Sequence, residues 1–186
     1  FQTPSKTDDV RDFQIEGMSI GDSLLDFMSE DLIIDEINNK DYSWYYKDDF
    51  VSISTGVIKD KFKNYDDVGV ILKVSDDQYK IYGLQGTIYM DKKSDIKRCY
   101  KKQNEIFKDV KVALNLKNDG DTWFVKKQNL KKHQLSVKYI DFELTAGGTF
   151  RFICYEIKEG VRKYSDTNLL YVVVNSAIFW DYLGTN

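Results

Sequence analysis

The apolar residues of this chain change period along its length, and that change limits what it can fold into more than any single motif. From Ile96 to Val110 they fall at helical spacing, through Cys99, Tyr100, Gln103, Ile106 and Phe107, after a helix start at Ser94. Lys97, Arg98, Lys101, Lys102, Lys108 and Lys111 take the opposite side. This is an amphipathic helix with a basic outer face. On both sides of it the period shortens. Trp44–Tyr46, Phe50–Ser54, Val68–Val74 and Tyr79–Met90 are aromatic and β-branched runs, the last two joined by the turn-rich Ser75-Asp76-Asp77-Gln78. They predict three or four antiparallel strands over 44–90, with Gly83 and Gly86 marking a bulge or bend. Leu135–Leu144 and Thr149–Ile157 flank Thr145-Ala146-Gly147-Gly148 as a hairpin, and Leu169–Val174 is a further strand.

Helical spacing returns at both ends. Ser19, with Asp22 three residues on, predicts a capped helix carrying Ile20, Leu24, Phe27 and Met28 on one face. Ser29 caps a second through Leu32, Ile33 and Ile37, and the two meet at a corner within 19–39. Near the C-terminus, Asn175 or Ser176 caps a short helix that turns Phe179, Trp180 and Leu183 inward and ends at Gly184. The order αα-βββ, then α-βββ-α, does not alternate single strands with helices, which argues against a doubly wound parallel sheet. The expected class is α+β: an antiparallel sheet with helices packed on one face. Residues 1–15, polar up to Asp12 apart from Phe1 and Val10, read as a flexible leader. Residues 16–186 read as one domain, with 16–90 and 91–186 as two similar halves.

Cys99 lies on the apolar stripe of the long helix, and Cys154 alternates with Phe150 and Phe152 on its strand. Two cysteines are too few for a disulfide scaffold or a zinc site. If that side of the strand faces the helix, a bridge is feasible, as an oxidising compartment would allow; two reduced, buried thiols are the alternative. The chain starts at Phe1 rather than Met, as trimming or removal of an export signal would leave it. No apolar run approaches the ~18 residues of a membrane helix. The expected location is therefore periplasmic or secreted, in a bacterium.

Charge is unevenly spread. Residues 1–90 carry net −9, 91–133 net +7 and 134–186 net −1, within a total of −3. The basic block joins Lys97, Arg98, Lys101 and Lys102 to Lys126, Lys127, Lys131 and Lys132, and forms a candidate face for an acidic partner or nucleic acid. A solvated face balancing the acidic first half is the plainer alternative. The acidic balance of the whole chain argues against nucleic acid.

Catalytic motifs are missing. The single histidine, His133, follows two lysines and has no Gly-x-Ser-x-Gly elbow to serve. A calcium loop placed on Asn118-Asp119-Gly120-Asp121 would put Lys117 and Lys126 at ligand positions. Gly83-Leu84-Gln85-Gly86 lacks the lysine and helix start of a phosphate loop. Asp48-Asp49, Asp66-Asp67 and Asp76-Asp77 are sequence neighbours, which suit turns better than an acid–base dyad. No catalytic, cofactor or metal residue is assigned.

Gly17-Met18-Ser19, followed by a helix with Leu24 and Leu25, a second short helix and strands, resembles the opening of bacterial outer-membrane assembly lipoproteins of the SmpA/OmlA type. The ααβββ order used twice in tandem is similar to β-lactamase inhibitory proteins. The likeness covers about 75 residues by this element order; no Leu-Gly-x-Pro follows the first helix and no lipidated cysteine stands at the N-terminus. It implies an exported binding role without catalysis and transfers no site residue. The expectation is an exported, non-enzymatic protein that binds a protein or other macromolecule. The alternatives are an enzyme or small-ligand protein with a carboxylate- and tyrosine-lined cleft, and nucleic-acid binding through 91–133.

Overall fold

The computed structural model describes residues 9–39, 43–47, 49–90, 96–114, 120–130, 133–144, 147–157 and 168–185, without the side chains of 121–130, 133–136, 156, 157 and 185. Its strands are β1 (Trp44–Tyr46), β2 (Phe50–Ser54), β3 (Asp67–Lys73), β4 (Ile81–Tyr89), β5 (Asp121–Leu130), β6 (His133–Glu143), β7 (Thr149–Ile157) and β8 (Leu169–Asn175). The helices are α1 (Glu30–Asn38), α2 (Ile96–Ala113) and α3 (Ala177–Thr185). All eight strands form one antiparallel sheet in the order β1-β2-β3-β4-β8-β7-β6-β5. Each half is thus a helix followed by a four-stranded meander. The halves join through their last strands, β4 and β8, over the seven pairs from Gly83↔Asn175 to Tyr89↔Leu169. The α+β class holds.

Alternation along the strands separates two faces. On the first, Val51 and Ile53 of β2, Val70 and Leu72 of β3, and Val172 and Val174 of β8 are buried in one cluster with Ile33 of α1 and Val110 of α2. Phe150 stacks on Phe142 with ring centroids 5.2 Å apart, and Phe107 of α2 meets Phe142 and Phe152 at 6.0 and 5.9 Å. Two further devices hold α2 here. Cys99 and Cys154 are bridged across the helix–sheet interface, with Cα atoms 6.0 Å apart and both residues fully buried. Gln103 Nε2 donates to the carbonyls of Lys138 (3.0 Å) and Phe152 (2.8 Å) on adjacent strands.

α3 departs from the one-face expectation. Its Phe179 packs with Phe50 and Ile71 on the opposite face, with Tyr46, Tyr82 and Tyr182 around them. Ser176 caps it as expected, its Oγ accepting from Phe179 N–H at 3.2 Å. Of the three residues expected to point inward, Phe179 is buried, Trp180 is half-buried and Leu183 is exposed.

The first expected helix is not formed. Gly21 is left-handed (φ 93°), and residues 24–26 make only a 3-10 turn capped by Ser23. The start of β4 and the turn before it outcompete the helix for the backbone. Gly21 N–H donates to Ile81 O, Ile81 N–H to Asp22 O and Leu24 N–H to Tyr79 O, at 2.8–3.0 Å. Asp22 still accepts from Ser19 N–H at 2.8 Å, and Ile20, Leu24 and Met28 are still buried. Strand β5 was unforeseen, because Lys126 and Lys127 interrupt its apolar alternation; as the outer strand it sits where lysines protect an open edge. Gly83 flanks the register shift between Ile71 and Leu72. Gly86 instead makes room for the Tyr65 ring, 2.4 Å from where a Cβ would stand.

Within the segment read as a leader, residues 9–15 are packed. Asp9 caps a 3-10 turn at Val10–Asp12, Val10 and Ile15 are buried, and the Phe13 ring meets Phe150 edge-on at 5.0 Å. Gly148 lets the β6–β7 turn close over this segment, since a Cβ there would stand 2.6 Å from Asn175 O and 2.8 Å from Val10 Cγ1. The expected Ser94 cap, Asn118, Asp119, Thr145 and Ala146 lie outside the described residues.

The bridge joins residues 55 apart, so the chain-entropy model assigns it about 4 kcal/mol. The double variant Cys99→Ala/Cys154→Ala is expected to lose that amount in urea unfolding. A loss below about 1 kcal/mol would show that the other α2 contacts suffice without it.

Candidate functional site

The face that carries α3 differs in chemistry from the face beneath α2. Where β7 sends Phe150, Phe152 and Cys154 to the core, its intervening residues Arg151, Ile153 and Tyr155 point the other way. Register places Asp141, Arg151, Val173, Gln85, Gly69 and Ser54 in one row across the sheet. The next row runs through Tyr139, Ile153, Tyr171 and Thr87.

Arg151 is the centre of this surface. Its Nε donates to Asp141 Oδ2 at 2.9 Å, with Nη2 2.8 Å from the same oxygen. The guanidinium lies between two aromatic rings, 5.6 Å from the Tyr139 centroid and 5.3 Å from that of Trp180. Trp180 is fixed in turn, its Nε1 donating to Glu143 Oε1 at 3.2 Å. Helix, strand and ion pair therefore hold one another in place. Tyr155 meets Tyr171 edge-to-face at 5.2 Å. Burial, then the neighbouring Tyr139 and Tyr171, keeps the Tyr155 hydroxyl well above its ordinary range, so it remains a neutral hydrogen-bonding group at physiological pH. On β1, Trp44 stands 69% exposed on the same side as Tyr46, whose ring contacts Phe179 at 5.1 Å.

Between α3 and the sheet is a cavity of about 160 Å³. Gly69, Gln85, Val173 and Asn175 form its floor, and Phe179 and Trp180 its roof. Gly69 keeps the floor low, because nothing stands closer than 3.7 Å to the position of a Cβ there. Asn175 is 4% exposed; its Nδ2 donates to Thr149 Oγ1 at 3.3 Å while Oδ1 has no hydrogen-bond partner.

A second cavity, about 410 Å³, opens at the end of the sheet among Arg11, Ile20, Lys80, Tyr82, Ala177 and Ile178. Its carboxylate, Asp9, is engaged by Arg11, whose hydrogen bonds hold it below the ordinary range. Glu36 is held above that range, by desolvation first and then by Asp67 and Asp35, but it lines neither cavity. Among the described residues, no three His, Cys, Asp or Glu side chains come together as a metal would require.

The basic residues divide. Lys97, Arg98, Lys101 and Lys102 are exposed on α2, and Lys101 is 4.0 Å from Glu105 one turn on. Lys126 and Lys127 lie in β5 opposite Ser136 and Leu135, their side chains outside the described set, as are Lys131 and Lys132 altogether. Of the paired aspartates, Asp76 acts in a turn, its Oδ1 accepting from Gln78 N–H at 3.0 Å, whereas Asp66 Oδ2 accepts from Tyr89 N–H at the end of β4 at 2.7 Å and Asp67 begins β3; Asp48 lies outside the described residues. Tyr139, Asp141 and Arg151 carry no signal of their own in the sequence, and Asn175 and Trp180 read there only as a helix cap and an inward-facing helix residue. The available signal was the alternation of β7, where one arginine sits between two phenylalanines.

Arg151→Met removes the charge-assisted bonds of a largely covered ion pair, and is expected to lower stability by about 2 kcal/mol. Lys101→Met on the solvated face of α2 should change it by less than about 0.5 kcal/mol. Equal effects in denaturant titrations would contradict the structural role given to Arg151.

Among the described residues no helix is long and apolar enough to cross a membrane. No known family model, characterised protein or solved structure matches the chain.

Proposed function

We propose that this chain is an exported, non-enzymatic protein that binds another protein through the sheet face bearing α3. One observation carries the reading: Trp44, Tyr139, Arg151, Tyr171 and Trp180 share that face, and the arginine is clamped rather than mobile. Tryptophan, tyrosine and arginine dominate the binding energy of protein interfaces. Held rigid, they order at little entropic cost when a partner arrives. The buried bridge supports export, because such bonds persist in oxidising compartments. The resemblance of the N-terminal sequence to exported assembly lipoproteins and inhibitory proteins agrees with a binding role.

A second reading is small-ligand binding in the 410 Å³ cavity, which falls in the usual range of ~300–1,000 Å³. Its carboxylate is already paired with Arg11, which favours binding over acid–base chemistry. The basic α2 face, with a nucleic-acid or acidic partner, ranks below both.

A photo-crosslinking residue in place of Trp44 or Tyr139, and separately in place of Lys101 or Val112 on α2, separates these readings. In the secreted fraction of the producing cells, positions 44 and 139 are expected to give one discrete protein adduct, competed by excess unmodified chain. Adducts only from positions 101 and 112 would move the interface to the basic helix and overturn the proposal.

A further inference from the structure

The cavity of about 410 Å³ at the end of the sheet has the size of a small-molecule site, and the charges around it do not balance. Asp9 is spent: its two oxygens accept from the backbone N–H, Nε and Nη2 of Arg11. The carboxylates beside the lining are turned elsewhere, Asp22 onto Ser19 N–H and Asp76 onto Gln78 N–H and the Tyr82 hydroxyl. Lys80 also lines the cavity, and among the described residues its ammonium has neither an ion pair nor a hydrogen bond. Arg11 keeps Nη1 clear, and the N–H groups of Ala177 and Ile178 in the same lining have no acceptor among the described residues. The cavity therefore offers donors and one uncompensated positive charge, with no open carboxylate.

The rest of the lining is largely apolar. Val10, Ile20 and Ile81 are buried and form its floor, whereas Ile178 is 62% exposed, a large apolar side chain left in water at the border. A cation would find no counter-ion here. An inorganic anion would leave the floor and Ile178 uncovered. A single surplus charge matches a carboxylate better than a doubly charged phosphate.

We infer that this cavity is a binding site for a small organic acid, its carboxylate held by Lys80 and Arg11 Nη1 and its apolar body lying against Ile20, Ile81 and Ile178. The inference rests on the small-ligand reading of the cavity and is independent of the protein-binding face. Charge and apolar wall select together: the ammonium fixes the acid end, and burial of the body supplies the non-directional part of the affinity.

The test uses hydrocinnamate, with hydrocinnamide as the analogue that lacks the charge and acetate as the one that lacks the apolar body. Each is titrated into the bridged full chain at low ionic strength and followed by amide NMR shifts. The expected result is saturable hydrocinnamate binding, weakened by added salt, with shifts centred on Gly21, Ile81, Tyr82 and Ile178. Hydrocinnamide and acetate should each bind at least about fivefold more weakly, as loss of a charge-assisted contact or of apolar burial implies. Lys80→Gln should weaken hydrocinnamate about fivefold and leave hydrocinnamide unchanged. Ile178→Glu puts a like charge at the border, in the first turn of α3 where an acidic side chain is favoured. It should abolish hydrocinnamate binding with no fall in melting temperature. Equal binding of hydrocinnamate and hydrocinnamide by the wild-type chain, or hydrocinnamate binding unchanged in Lys80→Gln, would overturn the inference while leaving the small-ligand reading standing. Shifts centred elsewhere, or no saturation with any of the three probes, would overturn that reading with it.

Discussion

The antiparallel ladder between β4 and β8 is the constraint on which the rest depends. Without it the chain would be two four-stranded meanders, each with a helix and an open edge. With it, the last strands of the two halves pair directly and the sheet becomes continuous from β1 to β5. Continuity gives both halves a common core: Ile33 and Val51 from the first are buried in one cluster with Val110, Phe150 and Phe152 from the second. It also puts α1 and α2 on the same face, so one side of the sheet is thickly covered and the other holds only α3 and what it packs against among the described residues.

Those faces are built from different materials. The covered face is aliphatic and phenylalanine-rich, closed by the bridge and by the two hydrogen bonds of Gln103. The other is made of tyrosine, tryptophan and arginine in mutual contact. Core demand explains the first, since each fully buried large apolar side chain contributes about 1.5–3 kcal/mol. It does not explain the second, where polar tips are kept near the surface at the expense of closer packing. Those clamped aromatics are what the proposed binding role rests on.

The sequence carried the local structure well where one element's own pattern decides it. The stripe from Cys99 through Ile106 to Val110, the alternation of Phe150, Phe152 and Cys154, and the hairpin at Gly147-Gly148 were all legible, and together they made the bridge geometrically sensible. Tertiary competition hid the rest. Residues 20–28 have helical spacing, yet Ile81 at the start of β4 and Tyr79 just before it take the hydrogen bonds of Gly21 and Leu24 and leave a 3-10 turn. Strand β5 was masked by the lysines that suit an outer strand. The candidate site was hidden most completely. Asp141, Arg151 and Trp180 are spread over forty positions and meet only because β6 and β7 pair in one register while α3 folds back across them. No spacing rule within a single element contains that.

The direct test of a single sheet with two unlike faces is a set of nuclear Overhauser contacts in solution. Cross-strand backbone contacts should run along β4 and β8 from Gly83–Asn175 to Tyr89–Leu169. Ring protons of Phe179 should contact those of Phe50 and Tyr46, whereas those of Phe107 should contact Phe142 and Phe152. Absence of the β4–β8 contacts, or Phe179 contacts to the Phe107 side, would contradict the account, because the proposed binding face exists only if α3 lies across the sheet from α2.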